Sequence, residues 1–223
     1  MRRPSIDELL KIMARLRAPN GCPWDREQDH RSLRWHAVEE VYELMDAIEA
    51  GDDLELEEEL GDVLLQVVFH CQLAGERGAF DFEKVARHIA DKLIRRHPHV
   101  FGTLKVKNVD QVWANWDKIK RAEKQGTRRA RSSALDGIPR HLPALLRAEK
   151  LVKKARRAEL EPKVRGQAGP SRARLARTLF DLVRYSQAKG WSAEELLCQE
   201  TKRQEQRWRR LERRNAPKKA AGT

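Results

Sequence analysis

Glu39, Glu40, Glu43, Glu59 and Asp62 are the residues of this chain best suited to chemistry. In an α-helix, residues three or four apart share a face, so Glu40 with Glu43, and Glu59 with Asp62, each form a stacked carboxylate pair. The Gly51-Asp52-Asp53 turn between them predicts two antiparallel helices on which the pairs converge. Four carboxylates aimed at one point repel one another unless a cation lies between them. An all-oxygen set suits Mg²⁺, with Mn²⁺ as a substitute, better than zinc. Acidic helix faces are commonly just solvated. Here Glu40 adjoins Ala37, Val41 and Leu44, and Asp62 is flanked by Leu60, Val63 and Leu64, where an unpaired carboxylate is costly.

The elements that must position these acids are legible in the apolar spacing. Leu33, Ala37, Val41, Leu44 and Ile48 keep helical period, as do Leu56, Leu60, Val63, Leu64 and Val67, which predicts a buried stripe on each helix. Ser32 is the expected cap of a helix over 33–50, and Asp53 of one over 54–75. A first helix is expected over 5–18, with Ser5 and Glu8 as a capping box, before Pro19 to Pro23 break the chain and leave Trp24 in a turn. A further helix begins at Phe80-Asp-Phe82, turns Phe82, Val85, Ala86, Ile89 and Leu93 inward, and ends at Pro98. It carries Lys92 and Arg96 four apart on one edge. Residues 109–125 carry Val112, Trp113, Trp116 and Ile119. The fold class is an all-α helical bundle with short loops.

Charged residues are 36% of the chain and aromatics 6%, which favours helices over sheets. No apolar run approaches the roughly 20 residues of a membrane span, and the start lacks the apolar core of a signal peptide, so a cytoplasmic location is expected. Cys22, Cys71 and Cys198 are far apart and lack metal-site spacing, and Cys71 falls on an apolar helix face. The net charge of +12 is uneven. Residues 1–126 hold 20 basic and 24 acidic side chains and residues 127–223 hold 26 and 10, so the balances are −4 and +16. The basic half is either a solvated surface or a docking surface for polyanions.

The order Glu39-Glu40-x-x-Glu43, a spacer, then Glu59-x-x-Asp62 resembles the MazG nucleoside triphosphate pyrophosphohydrolases. The resemblance extends to Asn20-Gly-Cys-Pro-Trp-Asp25, to Asp91-Lys-Leu-Ile-Arg-Arg-His-Pro-His-Val-Phe101 and to Trp116-Asp-Lys-Ile-Lys120, and covers residues 1 to about 155. It implies Mg²⁺-dependent hydrolysis of nucleoside triphosphates to monophosphate and pyrophosphate, and a bundle completed by dimerisation. On that reading Glu40, Glu43, Glu59 and Asp62 hold metal and Glu39 orients or deprotonates water. Lys92 and Arg96 bind phosphates, and Trp116 and Trp24 wall the nucleotide. His97 and His99 beside Pro98 do not suit a hard cation and belong to the helix end.

The second half departs from this pattern. Leu175 to Val183 lines up with Leu56 to Leu64, which sets Thr178 opposite Glu59 and Asp181 opposite Asp62, with no acidic helix before them. The expected organisation is a catalytic domain over 1–126, a linker over 127–143, a degenerate MazG-like domain over 144–214 and a disordered basic tail over 215–223. A different class of function is a non-catalytic helical module whose basic half docks on nucleic acid or an acidic protein. It needs the residues after 127, whereas catalysis needs the acids of 39–62.

Overall fold

The computed structural model describes residues 5–123, 126–127, 133–161 and 169–215. Among these, every regular element is an α-helix, and no helix is long and apolar enough to cross a membrane. The chain divides into two compact units, Met1–Trp116 and Asp117–Thr223. The tail expected over 215–223 lies, apart from Asn215, outside the described residues, as does most of the Gly/Pro break over 162–170.

The first unit contains α1 (Ser5–Leu16), α2 (Pro23–Glu27), α3 (His36–Ala50), α4 (Asp53–Glu76), α5 (Phe82–Arg96) and α6 (Pro98–Phe101), and α7 (Val109–Ala122) begins in it. Trp24 therefore stands in a short helix, because Pro23 fits the first helical turn and starts one where the sequence reads only a break. The hairpin of α3 and α4 is sharply made. Gly51 ends α3 at φ 70°, a left-handed conformation open to glycine. The Asp52 carboxylate then accepts from the backbone N–H groups of Leu54 and Glu55. The cap is thus Asp52, one residue earlier than expected, since the helix starts at Asp53 itself. Ser32 does not cap α3; its backbone N–H and Arg31's both donate to Asp29, which builds a separate turn ahead of the helix.

Long α4 is the centre of the unit, packing on α1, α3 and α5. Its distal half buries Val68, Phe69 and Leu73 against Met13 of α1 and Leu33. Cys71 is buried too, as its place on an apolar face predicts. The proximal half differs from expectation. Val41, Ile48, Leu60, Leu64 and Val67 all stay at least one-third exposed, and Ala47 is the buried residue of α3. Ile89, Leu93 and Trp113 are likewise exposed. Helical period identifies residues that share a face, but it carries no information about what covers that face.

Arg17 fastens α1 to the end of α4. Its guanidinium donates to both carboxylate oxygens of Glu76, at 2.6 and 2.7 Å, and to the backbone carbonyls of Asp25 and Gln28, and it lies 5.6 Å over the Phe69 ring. With the Arg17 side chain only 9% accessible, truncation leaves several acceptors without a donor. Arg17→Met is expected to lower unfolding free energy by about 2 kcal/mol, read as a lower urea midpoint at unchanged slope.

The second unit contains α8 (Ala144–Arg157), α9 (Arg172–Ala188) and α10 (Ala193–Asn215). Its core joins Leu151, Ala155 and Leu160 to Trp208 of α10 and to Leu135. Residues 133–143, which composition reads as linker, therefore include a buried anchor. Lys154 also donates to the carbonyls of Ala134 and Asp136. Between α8 and α10, the buried Arg147 pairs with Glu205 at 2.5 Å. Thr178 donates to its own helix at Arg174 and Asp181 pairs with Arg184, so the two residues opposite Glu59 and Asp62 are both engaged locally in α9.

Candidate active site

The α3–α4 hairpin brings Glu40, Glu43 and Glu59 together, with one oxygen of each within 4.8 Å of the others. Glu40 and Glu43 are one turn apart on α3, and the tight Gly51-Asp52 turn brings the first turns of α4 back beside them. Asp62 stands outside this group of three but close enough to act on Glu40 and Glu59. Glu39 is more exposed and points toward His36, whose Nδ1 lies 3.7 Å from its carboxylate.

The electrostatics are those of crowded acids. The Glu40 carboxyl titrates above its ordinary range, first because burial disfavours the charge and then because Asp62, Glu43 and Glu39 are near; only the Gln66 amide opposes this. Glu59 is raised as well, by burial and then by Glu43, Asp62, Glu58 and Glu40. The charged neighbours acting on both are all carboxylates. One oxygen of Glu59, Oε2, is buried with no hydrogen-bond partner, and so is Oε1 of Gln66, a residue 92% buried. Converging hard oxygens, raised acids and orphaned acceptors fit a divalent cation with oxygen preference.

The remaining candidates lie outside this group of three. Lys92 and Arg96 lie one turn apart on α5, which packs against α4. Trp24 is half-exposed and meets the His36 ring edge-on at 6.0 Å, which places it beside the residue that faces Glu39. Trp116 is in an aromatic cluster, edge-on to His97 at 5.1 Å and to Trp113 at 5.6 Å. His97 donates from its ring Nδ1–H to the Leu93 carbonyl and lies tilted against the His99 ring at 5.6 Å, in keeping with their reading as helix-end structure.

Two features escape the sequence reading. Gln66 donates from Nε2 to Glu40 Oε1 at 3.2 Å. Its signal was present, as a lone amide in Val63-Leu-Leu-Gln-Val-Val-Phe69, four residues after Asp62 on the same face. The second is a pair of histidines, His30 and His70, 40 residues apart with Nδ1 atoms 2.8 Å from each other and rings stacked at 5.1 Å. Burial, then His30, holds the His70 imidazole below its ordinary 6.5. The unfolded chain thus takes up the proton first. The contribution of His70 is complete above pH 6.5 and is lost as pH falls through its lower folded value. Unfolding free energy is expected to drop between pH 7 and 5, and His70→Phe to flatten that window in urea titrations.

Residues 28–101 match the MazG nucleotide pyrophosphohydrolase domain. That stretch holds all five acids, Lys92 and Arg96, and it leaves Trp24 and Trp116 outside. The chain is 51% identical over 150 residues to the nucleoside triphosphate pyrophosphohydrolase of Escherichia coli, covering 67% of this chain and 56% of that protein. The chain belongs to the MazG family. The nucleoside triphosphate pyrophosphohydrolase/pyrophosphatase MazG of Thermotoga maritima is 47% identical over 150 residues, with the same coverage. A crystal structure of a mazG-related protein from Thermotoga maritima aligns with a TM-score of 0.44 at 25% identity, over 51% of this chain and 97% of that one. The chain spans about half the length of the curated MazG relatives it matches.

Proposed function

We propose that this chain hydrolyses nucleoside triphosphates to nucleoside monophosphate and pyrophosphate, at the carboxylate group of α3 and α4. The observation that carries the reading is the convergence of Glu40, Glu43 and Glu59 with orphaned oxygens beside them, inside the stretch that matches the family. These three, with Asp62, would hold Mg²⁺, or Mn²⁺ in its place. The ion supplies charge neutralisation at the phosphoryl oxygens and a lowered pKa for bound water.

The side chains do the rest. Water forms a bond to phosphorus, the bridging P–O bond between the first and second phosphoryl groups breaks, and pyrophosphate leaves with the bonding electrons. Glu39, exposed and not drawn into the group of three, accepts the water's proton, with His36 beside it to orient the carboxylate. Lys92 and Arg96 offset charge on the leaving group, the Lys as a point charge and the Arg by paired N–H donors. Trp24, half-exposed near Glu39, is the better placed of the two tryptophans to stack on a base; Trp116 closes the aromatic cluster and would line the far wall.

The same reading includes a homodimer built on the exposed α3–α4 face and a cytoplasmic location, where nucleotide pools lie. It assigns catalysis to residues 1–126 and treats 144–214, after a connecting 127–143, as a degenerate copy without a metal set. The purified chain, incubated with a panel of ribo- and deoxyribonucleoside triphosphates, is expected to release pyrophosphate with Mg²⁺ or Mn²⁺ and none with chelator. Release of orthophosphate instead would identify a different hydrolase. No turnover on any triphosphate would favour a binding module acting through the basic half.

A further inference from the structure

A buried primary amide in an apolar helix face is costly unless all its polar atoms are engaged. Gln66 of α4 is buried, yet only half of its amide is used: Nε2 donates to Glu40 Oε1 at 3.2 Å, while Oε1 is enclosed and without a partner. Along α4, Glu59, Asp62 and Gln66 are spaced three and four apart and share a face. The orphan oxygen therefore belongs to the same stripe as the orphan Oε2 of Glu59.

The orientation of the amide has an electrostatic cause. Turned over, Oε1 would face the Glu40 carboxylate, acceptor against acceptor. Facing the other way, the N–H donates to the carboxylate and holds one of its oxygens in place. A carboxylate ligand presents one oxygen to a cation best when the other is held.

We infer that Gln66 is a positioning residue of the cation site. Its Nε2–H fixes Glu40 Oε1 and leaves Oε2 for the cation. The inference rests on the cation site proposed above and adds a residue outside the family's acidic pattern.

Calorimetric titration of the full chain with Mn²⁺, without nucleotide, tests it. Gln66→Met keeps length and bulk and removes both polar atoms, and it is expected to weaken Mn²⁺ binding by roughly 10- to 100-fold, the usual loss for a supporting residue. The thermal midpoint of the metal-free variant should hold or increase, as a half-satisfied buried amide is gone. Should that variant not fold, Gln66→Leu is measured in its place. Wild-type affinity in the folded variant would overturn the role of Gln66 alone. Failure of the wild-type chain to bind Mn²⁺ would overturn the cation site, and Gln66's role with it.

Discussion

Glu40→Gln is expected to reduce pyrophosphate release by more than roughly a hundredfold while making the metal-free protein more stable at neutral pH. The activity loss exceeds what a supporting residue gives, because Glu40 is itself among the oxygens that would bind the ion. The stability gain follows from its titration. Burial and neighbouring acids raise the Glu40 carboxyl above its ordinary 4.5 in the folded chain. A raised acid adds stability below its unfolded value and loses that contribution as pH rises through the folded one, so at pH 7 the ionised Glu40 is a burden. Glutamine has nearly the same shape and no charge. The thermal midpoint of the variant should exceed wild type at pH 7, and the gap should close as pH falls toward 4.5.

Addition of Mn²⁺ reverses the order of the two proteins. A cation at a hundred times its dissociation constant adds about 2.7 kcal/mol to a protein that binds it only when folded. Wild type should gain that increment and Glu40→Gln should gain little. A variant that is less stable than wild type without metal would show that Glu40 is a structural acid, and that the convergence with Glu43 and Glu59 serves packing.

The acidic site was legible because its physics is local. Three- and four-residue spacings place Glu40 above Glu43, and Gly51-Asp52 can only be a turn, so the convergence of α3 and α4 follows from chain geometry over 24 residues. Asp62 shows the limit of that reasoning. It shares a helix face with Glu59, yet it stays outside the group of three, because a helix face is broad and sequence spacing does not resolve a side chain's reach. Gln66 and the His30–His70 pair were hidden for another reason. Neutral polar groups inside apolar runs gain meaning only when their partners are known, and those partners lie 26 and 40 residues away. Leu135 is similar: Pro and Gly around it signal a connection, and a single leucine packing against Leu151 and Trp208 turns part of that connection into core.

Met45→Glu is expected to convert a dimer into a monomer. On α3, Val38, Val41, Tyr42, Met45 and Ile48 are 42 to 59% exposed, and on α4 Leu60, Leu64 and Val67 are 38 to 51% exposed. Both sets keep helical spacing, so they form continuous apolar stripes on the two helices that hold the acids. Monomers seldom leave such a face in water, and a second copy related by a two-fold axis is the simplest cover. Met45 lies mid-stripe. In a two-fold interface each substitution occurs twice, so a carboxylate costing about 2 kcal/mol per copy totals about 4 and weakens association by roughly a thousandfold. Leu54→Glu is the control, since Leu54 is 79% exposed at the start of α4, ahead of the stripe, and should leave assembly unchanged. Light scattering at micromolar concentration is expected to give a dimer for wild type and Leu54→Glu and a monomer for Met45→Glu. A wild-type chain that is monomeric and fully active would show that the exposed stripes serve something other than self-association.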